Sequence, residues 1–188
     1  MKYDKHYLRN RFLFQRKKKH FNAKIFNFDL IFKLIRKHFY KNKIIIAGYY
    51  PSNYEVDILN FLEKASKKKF NIALPLVKSS SLMSFKSWVF KEPLYVSQFG
   101  ILEPKNSKKE IIPDLIMVPL VAFDAQLNRI GYGKGYYDRS LRKIKKINKN
   151  VISLGIAYSF QKCTRIPVNN NDFRLDYIFT EKGIIKSN

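Results

Sequence analysis

The segment Lys43-Ile-Ile-Ile-Ala-Gly-Tyr49 decides the fold class of this chain. A continuous β-branched run without polar alternation is typical of a strand that is buried on both faces of a parallel sheet. The runs Leu115–Phe123, which Pro119 interrupts, and Val151–Ala157 have the same apolar character, and Leu175–Thr180 is a shorter one. Helical patterns separate these runs, so we expect an α/β fold: a three-layer sandwich with a mostly parallel central sheet.

Four helices are predicted around these strands. A basic N-terminal helix spans Met1 to about Lys19, and a second spans about Asp29 to Tyr40. Ser52-Asn53-Tyr54-Glu55 matches a capping box, so we expect a third helix to begin there and to end near Lys67-Lys68-Lys69. A fourth helix runs from about Tyr136 to Ile147 and follows a glycine-rich loop.

Two shorter strands are predicted beside the central ones. Phe70–Leu74 is a short apolar run that Pro75 should stop, and Met83–Trp88 alternates in the manner of a half-exposed strand. The 188 residues contain no internal repeat and no low-complexity linker. This length usually forms one domain, so we expect residues 1–188 to be a single domain.

Three segments are predicted to meet at one rim of the sheet. Ligands of parallel α/β sheets bind beyond the carboxyl ends of the strands. The segments that follow the central runs are Tyr49–Glu55, the loop after Phe123 and the chain after Ala157. These segments also carry the glycines, aromatic residues and charges that suit a binding site, so this rim is the expected location of function.

The composition excludes several classes of protein. Cys163 is the only cysteine, so an intrachain disulfide framework and a Cys-x-x-Cys metal site are excluded. His6, His20 and His38 all lie in the first 38 residues, without cysteine or carboxylate at ligand spacing, so we expect no zinc or iron site. No apolar run approaches the about 20 residues of a membrane span. Met1–Asn10 is charged and lacks the form of a secretory signal, so we expect a cytoplasmic protein without membrane association.

The net charge of +23, from 37 Lys+Arg against 14 Asp+Glu, has two interpretations. A basic surface attracts polyanions, so the chain could be a nucleic-acid-binding module without catalysis. Residues 1–43, with 14 Lys+Arg against 2 Asp+Glu, support that view. However, 28 Lys against 9 Arg, with 21 Ile, 15 Asn and 7 Ala, is the skew of an A/T-rich genome. No RRM, KH or zinc-finger signature is present, so we expect no specific nucleic-acid partner.

The loop Arg129-Ile-Gly-Tyr-Gly-Lys-Gly-Tyr-Tyr-Asp-Arg139 carries the strongest chemical signal. Three alternate glycines before a helix let backbone amides approach an anion without obstruction. Lys134 supplies a mobile positive charge among them, and Arg129 supplies a second. The spacing matches neither the dinucleotide fingerprint nor a Walker A loop. The alternative is a tight strand-to-helix turn with Lys134 in solvent, but the flanking cations and aromatic residues favour a phosphate cradle.

Phe123-Asp124 together with Arg129–Arg139 closely resembles the signature of the 5-formyltetrahydrofolate cyclo-ligase (5,10-methenyltetrahydrofolate synthetase) family. The resemblance extends in order along almost the whole chain, through Lys5…Leu8-Arg9, Tyr50-Pro51…Glu55-Val56, Leu74-Pro75, Met83…Phe85…Trp88, Gly100-Ile-Leu-Glu103-Pro104, Asp114-Leu115…Val118-Pro119 and Pro167…Asn171-Asp172. One departure is Leu127, which stands where the family usually has glycine. The sequence therefore leaves the form of this turn open.

The resemblance implies a fold similar to the ribose-5-phosphate isomerase and CoA-transferase group. It also implies a reaction: ATP- and magnesium-dependent closure of 5-formyltetrahydrofolate to 5,10-methenyltetrahydrofolate, with release of ADP and phosphate. In this chemistry ATP phosphorylates the formyl oxygen, N10 attacks the activated carbon, and phosphate departs. Catalysis then consists mainly of positioning and of neutralising charge around the γ-phosphate. We expect a monomer whose partners are ATP and 5-formyltetrahydrofolate.

The resemblance also assigns roles to individual residues of this sequence. Lys134 and Arg129 are the expected catalytic residues. The expected ATP contacts are Lys5, His6, Tyr7, Leu8, Arg9, Arg129, Ile130, Gly131, Tyr132, Gly133, Lys134, Gly135, Tyr136 and Tyr137. The expected folate contacts are Tyr50, Glu55, Phe85, Trp88, Tyr132 and Tyr136, and the expected magnesium ligands are Asp138 and Asp172.

Several of these positions also have a plain structural interpretation. The Lys5 and Arg9 pair could be a solvated face of the first helix, and Asp138 a charge at a helix N-terminus. Asp172 could be a turn residue, and Glu55 the capping-box residue noted above. The aromatic residues Phe85 and Trp88 suit core packing as well as they suit the wall of a pterin pocket.

Overall fold

The structure, a computed structural model, describes residues 4–22, 25–40, 43–78 and 83–186. Its helices are α1 (Lys5–Lys19), α2 (Asp29–His38), α3 (Leu59–Lys67) and α4 (Tyr136–Ile147). Its strands are β1 (Ile45–Ala47), β2 (Asn71–Val77), β3 (Met83–Ser87), β4 (Tyr95–Val96), β5 (Leu102–Glu103), β6 (Leu115–Pro119), β7 (Ala122–Phe123), β8 (Arg129–Ile130), β9 (Ile152–Ile156), β10 (Tyr177–Thr180) and β11 (Gly183–Lys186). Residues 1–3, which the sequence analysis places in the first helix, lie outside the described residues.

Seven strands form the central sheet, in the order β11-β10-β9-β6-β1-β2-β3. The five inner strands are parallel, and the edge strands β3 and β11 are antiparallel to their neighbours. Two short antiparallel pairs, β4–β5 and β7–β8, lie outside this sheet. The predicted fold class, an α/β fold with a mostly parallel central sheet, is confirmed.

The sheet separates two apolar layers, which explains its uninterrupted apolar strands. In β6, Leu115 packs into the core under α2 and α3, whereas the next residue, Ile116, packs into the core under α4. Phe61 of α3 and Leu141 of α4 are buried on these opposite faces. Since both faces are covered, β1 and β6 are apolar at every position, and the pattern of alternating polar residues is absent from them.

Helix α1 lies apart from these layers on a smaller third core. Leu8 and Phe12 pack there with Val121, Ile130 and Ile166, so α1 contacts the β7–β8 pair. Within the part of the chain that the structure describes, no helix is both long and apolar enough to span a membrane. This placement brings the basic residues of α1 towards the loop that follows β8.

The prediction that a helix begins at Ser52-Asn53-Tyr54-Glu55 is wrong. The segment forms a turn: the Glu55 N–H donates to the Ser52 carbonyl at 2.9 Å, and the Ser52 N–H donates to the Glu55 carboxylate at 2.9 Å. Asn53 and Tyr54 have φ values of 47° and 62°, which a right-handed helix excludes. The side-chain contact expected of a capping box is therefore present, but α3 begins only at Leu59.

Pro75 does not stop its strand, because β2 continues from Asn71 to Val77. β1 ends opposite Ala73, so beyond that point no described strand of the sheet pairs with this edge of β2. A proline there removes no ladder hydrogen bond on that edge. The half-exposed pattern expected for Met83–Trp88 is also wrong: the middle three residues of β3 are all buried, including Lys86, whose ammonium donates to the Lys108 carbonyl at 2.9 Å.

The remaining differences concern short strands. The run Leu115–Phe123 is divided into β6, which ends at Pro119, and β7, which pairs back on β8. The sequence analysis also omitted the hairpin β4–β5 and the edge strand β11. By contrast, α4 begins and ends at the predicted residues.

Candidate active site

A cavity of about 840 Å³ opens where β1 and β6 end. Tyr50 follows β1 and Pro119 ends β6, and both line the cavity. The segment after β9 reaches it through Asn169, Asn171 and Asp172. The prediction that three segments meet at one rim is thus confirmed. The cations that line the cavity are Lys5, Arg9, Arg129, Lys134, Arg139 and Arg142, and its carboxylates are Glu55, Glu103, Asp138 and Asp172.

Two glycines of the loop make room for arginine side chains. Gly133 and Gly135 have φ values of +97° and +69°, which residues with a side chain rarely adopt. A Cβ at Gly133 would lie 3.3 Å from Cζ of Arg9, and one at Gly135 would lie 2.6 Å from Nη1 of Arg139. The Arg139 guanidinium also donates to the Lys134 carbonyl at 2.8 Å. The glycines therefore allow both the backbone turn and the close approach of the cations.

Gly131 and Arg129 form the other end of the loop. Nε of Arg9 donates to the Gly131 carbonyl at 2.8 Å, and a Cβ at Gly131 would lie 2.8 Å from Nη1 of Arg129. The Arg129 side chain is only 4% exposed and pairs with Asp138, with 2.8 Å between Nη2 and Oδ1. The same Asp138 oxygen accepts the Phe173 N–H at 3.1 Å. Arg129 is therefore held rigidly beside the loop.

The N-terminus of α4 adds backbone donors to the loop. Gly135 is its N-cap residue and offers no side chain to accept the N–H groups of the first turn. The side chain of Lys134 is exposed and forms no ion pair or hydrogen bond with the described residues. Free first-turn amides, the helix dipole and a mobile cation together form the kind of site that binds phosphate.

Asp138 and Asp172, the predicted magnesium ligands, line the same cavity, and each carboxylate pairs with a cation. Lys5 donates to Oδ1 of Asp172 at 2.6 Å, and the Asn169 N–H donates to Oδ2 at 2.7 Å. The described residues contain no cluster of three or more His, Cys, Asp or Glu side chains that could hold a metal by themselves. The two carboxylates fit a magnesium ion that phosphate oxygens and water hold in large part, which is its usual environment.

Glu55 is a half-buried carboxylate that faces the loop. Its Oε1 accepts the Tyr132 hydroxyl at 2.9 Å, and its Oε2 accepts the Ser52 N–H at 2.9 Å. Burial raises the pKa of Glu55, while the Ser52 N–H, the charge of Arg16 and the Tyr132 hydroxyl act to lower that pKa. The carboxylate therefore lies between a buried environment that favours the neutral acid and donors that favour the anion.

Arg16 is a buried arginine that the sequence analysis missed. Its side chain is among the largest fully buried ones, at 1% exposure. Its Nη2 donates to the Tyr132 hydroxyl, and its Nη1 donates to the Leu120 carbonyl at 3.2 Å. Its Nε has no partner in the described part of the chain. The spacing contained a signal, because Leu8, Phe12 and Arg16 recur every four residues and so share the buried face of α1.

A family model matches this chain over almost its whole length. The model of the 5-formyltetrahydrofolate cyclo-ligase family matches residues 1–181. The chain belongs to this family. The 5-formyltetrahydrofolate cyclo-ligase of Mycoplasma genitalium is 33% identical over 187 residues, which cover 93% of this chain and 96% of that protein. The 5-formyltetrahydrofolate cyclo-ligase of Haemophilus influenzae is 32% identical over 136 residues, which cover 69% and 72%.

Solved structures of the family have the same architecture. The 5,10-methenyltetrahydrofolate synthetase of Aquifex aeolicus superposes with a TM-score of 0.73 at 29% identity, covering 97% of this chain and 92% of that one. The 5,10-methenyltetrahydrofolate synthetase of Mycoplasma pneumoniae has a TM-score of 0.70 at 26% identity, covering 95% and 99%. The fold of the cyclo-ligase family therefore extends over almost the whole of this chain.

The structure divides the five predicted ATP contacts of α1. Lys5 and Arg9 line the cavity, whereas His6, Tyr7 and Leu8 do not. Leu8 is buried in the third core, and His6 forms a side-chain hydrogen bond with Asn10, one turn along the helix. Residues one turn apart share a helix face, so only the first and last of these five can reach the loop together.

Phe85 and Trp88 are not brought to the cavity. Phe85 is 1% exposed in the core under α4, and Trp88 is 6% exposed in the opposite core. The Trp88 indole donates to the Glu92 carbonyl at 3.0 Å and its ring packs against Phe90. The core-packing interpretation of both residues therefore describes where they lie, because β3 and the residue that follows it place these side chains in the layers of the sandwich.

Other apolar residues form the wall that Phe85 and Trp88 do not. Phe99 and Ile101, from the hairpin β4–β5, line the cavity with Met83, and the Phe99 ring lies 6.1 Å from that of Tyr136. Glu103, at the end of this hairpin, is 8% exposed, and burial raises its pKa. The sequence analysis did not single out these hairpin residues for the site, because two-residue strands leave almost no periodicity.

Proposed function

We propose that this chain catalyses the ATP- and magnesium-dependent cyclisation of 5-formyltetrahydrofolate to 5,10-methenyltetrahydrofolate, with release of ADP and phosphate. The observation that carries the proposal is a single cavity in which a cationic glycine loop faces the half-buried carboxylate of Glu55 and an apolar wall. A triphosphate needs cations and N–H donors, whereas the pterin ring needs a hydrogen-bond acceptor and an apolar surface. This cavity offers both sets of groups. Family membership along residues 1–181 supports the same reaction.

The first step transfers the γ-phosphoryl group of ATP to the formyl oxygen of the folate. The bond between the γ-phosphorus and the bridging oxygen breaks, ADP leaves, and the formyl oxygen becomes the oxygen of an imino-phosphate. Negative charge spreads over the transferring group, and fixed cations stabilise such charge without reorganising. Arg129 is suited to that work because its ion pair with Asp138 holds it beside the loop. Lys134, which is free to move, is suited to follow the phosphate.

The second step closes the ring. N10 of the folate attacks the activated carbon, its proton is lost, and the C–O bond to phosphate breaks as inorganic phosphate leaves. Phosphate is a far better leaving group than the oxygen of a formamide, and this difference is what ATP contributes. The protein mainly keeps N10 near the carbon and excludes water, and effective concentration in a closed cavity accelerates such a step.

Lys5 and Arg9 are proposed to contact the nucleotide from α1. Both line the cavity, and the Arg9 guanidinium lies across Gly131 and Gly133 of the loop. The remaining nucleotide contacts that we propose come from the backbone of 129–137 and the N-terminus of α4. Anions bind at such helix N-termini because the N–H groups and the dipole point towards them.

The folate is proposed to lie against Glu55, Tyr50, Tyr132 and Tyr136. A carboxylate accepts hydrogen bonds only, so Glu55 matches the 2-amino and N3–H donors of a pterin. Phe99, which packs near Tyr136, is proposed to contact the aromatic part of the substrate. Such aromatic contacts contribute most when the ring geometry is offset or edge-on.

We also propose that Asp138 and Asp172 hold the magnesium that accompanies ATP, which supplies charge neutralisation of the phosphates. Replacing either residue by Asn should raise the magnesium concentration needed for half-maximal rate. The double variant should be less impaired than the two single effects predict together, since both residues would serve one magnesium–ATP unit. An unchanged magnesium dependence in Asp172→Asn would make Asp172 a partner of Lys5 and a turn residue only.

The setting of the reaction completes the proposal. We propose that residues 1–188 act as one domain, as a monomer and in the cytoplasm, with ATP and 5-formyltetrahydrofolate as the partners. Neither a membrane nor a specific nucleic acid is part of the proposed activity. Sedimentation of the purified chain at several concentrations tests the monomer directly.

The test of the function is an absorbance assay. The purified chain is mixed with 5-formyltetrahydrofolate, ATP and magnesium, and formation of the methenyl product is followed by its near-ultraviolet absorbance, with ADP measured in parallel. We expect equal amounts of methenyl product and ADP, and no product when ATP is omitted. ATP hydrolysis without methenyl product, or no consumption of either substrate, would contradict the proposal.

A further inference from the structure

We propose that Arg16 is a positioning residue for this reaction: through the Tyr132 hydroxyl it keeps the Glu55 carboxylate a charged, oriented acceptor for the pterin ring. The inference rests on the proposed function, because it concerns the pocket where the folate would bind. Arg16 itself does not line the cavity, so it would act through its neighbours and not by touching the substrate.

The geometry forms a directed chain of three side chains. Nη2 of Arg16 donates to the Tyr132 hydroxyl, and that hydroxyl donates to Oε1 of Glu55 at 2.9 Å. A guanidinium can only donate and an ionised carboxylate can only accept, so the proton of the tyrosine must point towards Glu55. The second oxygen, Oε2, is held by the Ser52 N–H at 2.9 Å. Both oxygens of the carboxylate are thus oriented from the protein side.

A structural role alone does not account for an arginine at this position. The other residues on this face of α1, Leu8 and Phe12, are apolar and pack in the third core. Burying a guanidinium is costly unless its donors are satisfied, and Nε of Arg16 has no partner among the described residues. Its Nη1 needs only a carbonyl, which Leu120 provides at 3.2 Å. The charge itself is explained by the carboxylate at the other end of the chain.

Among the described groups that face Glu55, Arg16 is the cation. The neighbours are Ser52 in its own turn, Tyr49 after β1, Tyr132 in the loop, Tyr137 in α4, Tyr158 after β9 and Arg16 in α1. Burial raises the pKa of all four tyrosines, so they remain neutral near pH 7. Burial also raises the pKa of Glu55, and the charge of Arg16 opposes that rise. Removing the charge should therefore favour the neutral acid.

The first test measures Glu55 in the free protein. The carboxyl carbon of Glu55 is followed by ¹³C NMR against pH and identified by its loss in Glu55→Gln. We expect Arg16→Met to move the titration midpoint to higher pH and Arg16→Lys, which keeps a charge, to return it towards the wild-type value. Lys17→Met is the matched control, because it removes an exposed charge from the neighbouring position of the same helix. It should leave the midpoint unchanged.

The second test measures binding of 5-formyltetrahydrofolate across the same pH range. If Arg16→Met leaves Glu55 neutral near pH 7, the variant should bind folate about tenfold more weakly, because a charged acceptor is lost. Much of the affinity should return at higher pH, where Glu55 ionises. Affinity for ATP should change far less, because Lys5 and Arg9 keep their contacts and Arg16 meets the loop only through the Tyr132 side chain. A residue that only fills the core would instead weaken both ligands, or neither, at every pH.

The outcomes separate this inference from the proposed function. A folded Arg16→Met with an unchanged Glu55 midpoint overturns the inference. If Arg16→Met does not fold, Tyr132→Phe is used instead, because it removes the hydroxyl that links Arg16 to Glu55 and keeps the hydrogen bond from Arg16 to Leu120. An unchanged Glu55 midpoint in Tyr132→Phe overturns the inference equally. Failure of the proposed function gives a different result. The wild-type protein would bind no folate at any pH, although Arg16→Met would still shift the Glu55 midpoint.

Discussion

Lys134 and Arg129 belong to one loop but differ in how tightly the fold holds them. The Arg129 side chain is 4% exposed, pairs with Asp138 and lies over the ring of Tyr137 at 5.8 Å. Lys134 extends into solvent without an ion pair to the described residues. A fixed cation stabilises charge at one place, whereas a flexible one can follow a group that moves, and phosphoryl transfer needs both.

Removing the Lys134 ammonium should therefore affect the chemistry and leave the fold intact. We expect Lys134→Ala to lower turnover by about a hundredfold or more, which is the scale of removing one preorganised electrostatic contact. The melting temperature should stay at the wild-type value because the side chain is exposed. Lys146→Ala, an exposed position at the other end of α4, is the control. Near-normal turnover of folded Lys134→Ala would exclude the catalytic role.

Glu55 should matter for the folate and not for the nucleotide. Loss of a charged hydrogen-bond partner costs about 1.5–3 kcal/mol, so Glu55→Gln should weaken folate binding roughly ten- to a hundredfold. ATP binding should stay nearly intact, because its proposed contacts come from α1 and the loop. Isothermal titration with each ligand, beside a thermal melt, measures both. If Glu55 only closes its turn, stability will fall while the folate affinity holds.

The residues of the site differ in how readily sequence reveals them. The loop residues could be predicted because alternating glycines and a lysine before a helix are a local signal with a direct physical meaning. The link between Arg16 and Tyr132 could not, because it joins positions far apart in the chain and no local pattern records it. Phe85 and Trp88 show the converse: aromatic residues in a motif can serve the core instead of the cavity.

At the scale of elements, the turn between β7 and β8 shows how a substitution is accommodated. Leu127, where the family usually has glycine, has a φ of 64°, in the left-handed region. Its side chain is 1% exposed in the core under α4. Asp124 holds the rest of the turn, because its carboxylate accepts the N–H groups of Gln126 and Asn128, each at 3.0 Å. The strained backbone is thus offset by burial.

Backbone strain and side-chain burial at Leu127 together predict an unusual order of stabilities for its glycine and alanine variants. Leu127→Ala should destabilise by about 2–5 kcal/mol, the usual cost of truncating a buried leucine. Leu127→Gly should be less destabilised than Leu127→Ala, since release of the about 1–2 kcal/mol left-handed strain exceeds the entropy penalty of glycine. At Leu62, buried in α3, glycine should be worse than alanine by about 1 kcal/mol. Urea unfolding of the four variants measures these free energies of unfolding. A Leu127→Gly variant less stable than Leu127→Ala would contradict the prediction.

Elements whose signal is local were predictable, and those that depend on neighbours were not. α4 has both an amphipathic pattern and a glycine before it, and its predicted bounds are confirmed. The helix expected at Ser52 failed because the hydrogen bonds of a capping box also fit a turn, and only the backbone of Asn53 and Tyr54 separates the two. Pro75 is tolerated because β1 ends opposite Ala73, so no described strand of the sheet pairs with that edge of β2 at Pro75.

For the whole molecule, the apolar runs predicted a parallel sheet but not the order of its strands. β1 lies between β2 and β6. The chain therefore adds β2 and β3 on one side of β1, and β6, β9, β10 and β11 on the other. That order decides which loops share a rim, and it brings Glu55 to the loop that follows β8. The order follows from long-range packing and the handedness of crossover connections, which local periodicity does not contain.

The net charge of +23 belongs to the whole surface, and its effect should be unspecific. We expect binding to DNA or RNA that weakens steeply with salt and has no sequence preference, because counterion release drives it. Fluorescence anisotropy with two oligonucleotides of different sequence, from low to physiological salt, measures both properties. A complex that persists at physiological salt and prefers one sequence strongly would revive the nucleic-acid-binding alternative.

Helix α1 contacts the body of the molecule through a small core of its own, yet it carries Lys5 and Arg9 into the cavity. We expect a helix that packs on so small a core to open locally more readily than the central sheet. A nucleotide held by both α1 and the loop would bind only the docked form and so stabilise docking by mass action. Occupancy of the cavity should then register as slower amide hydrogen exchange in α1, while exchange in the central strands stays unchanged. Binding of the nucleotide would thus hold the first helix in its docked position.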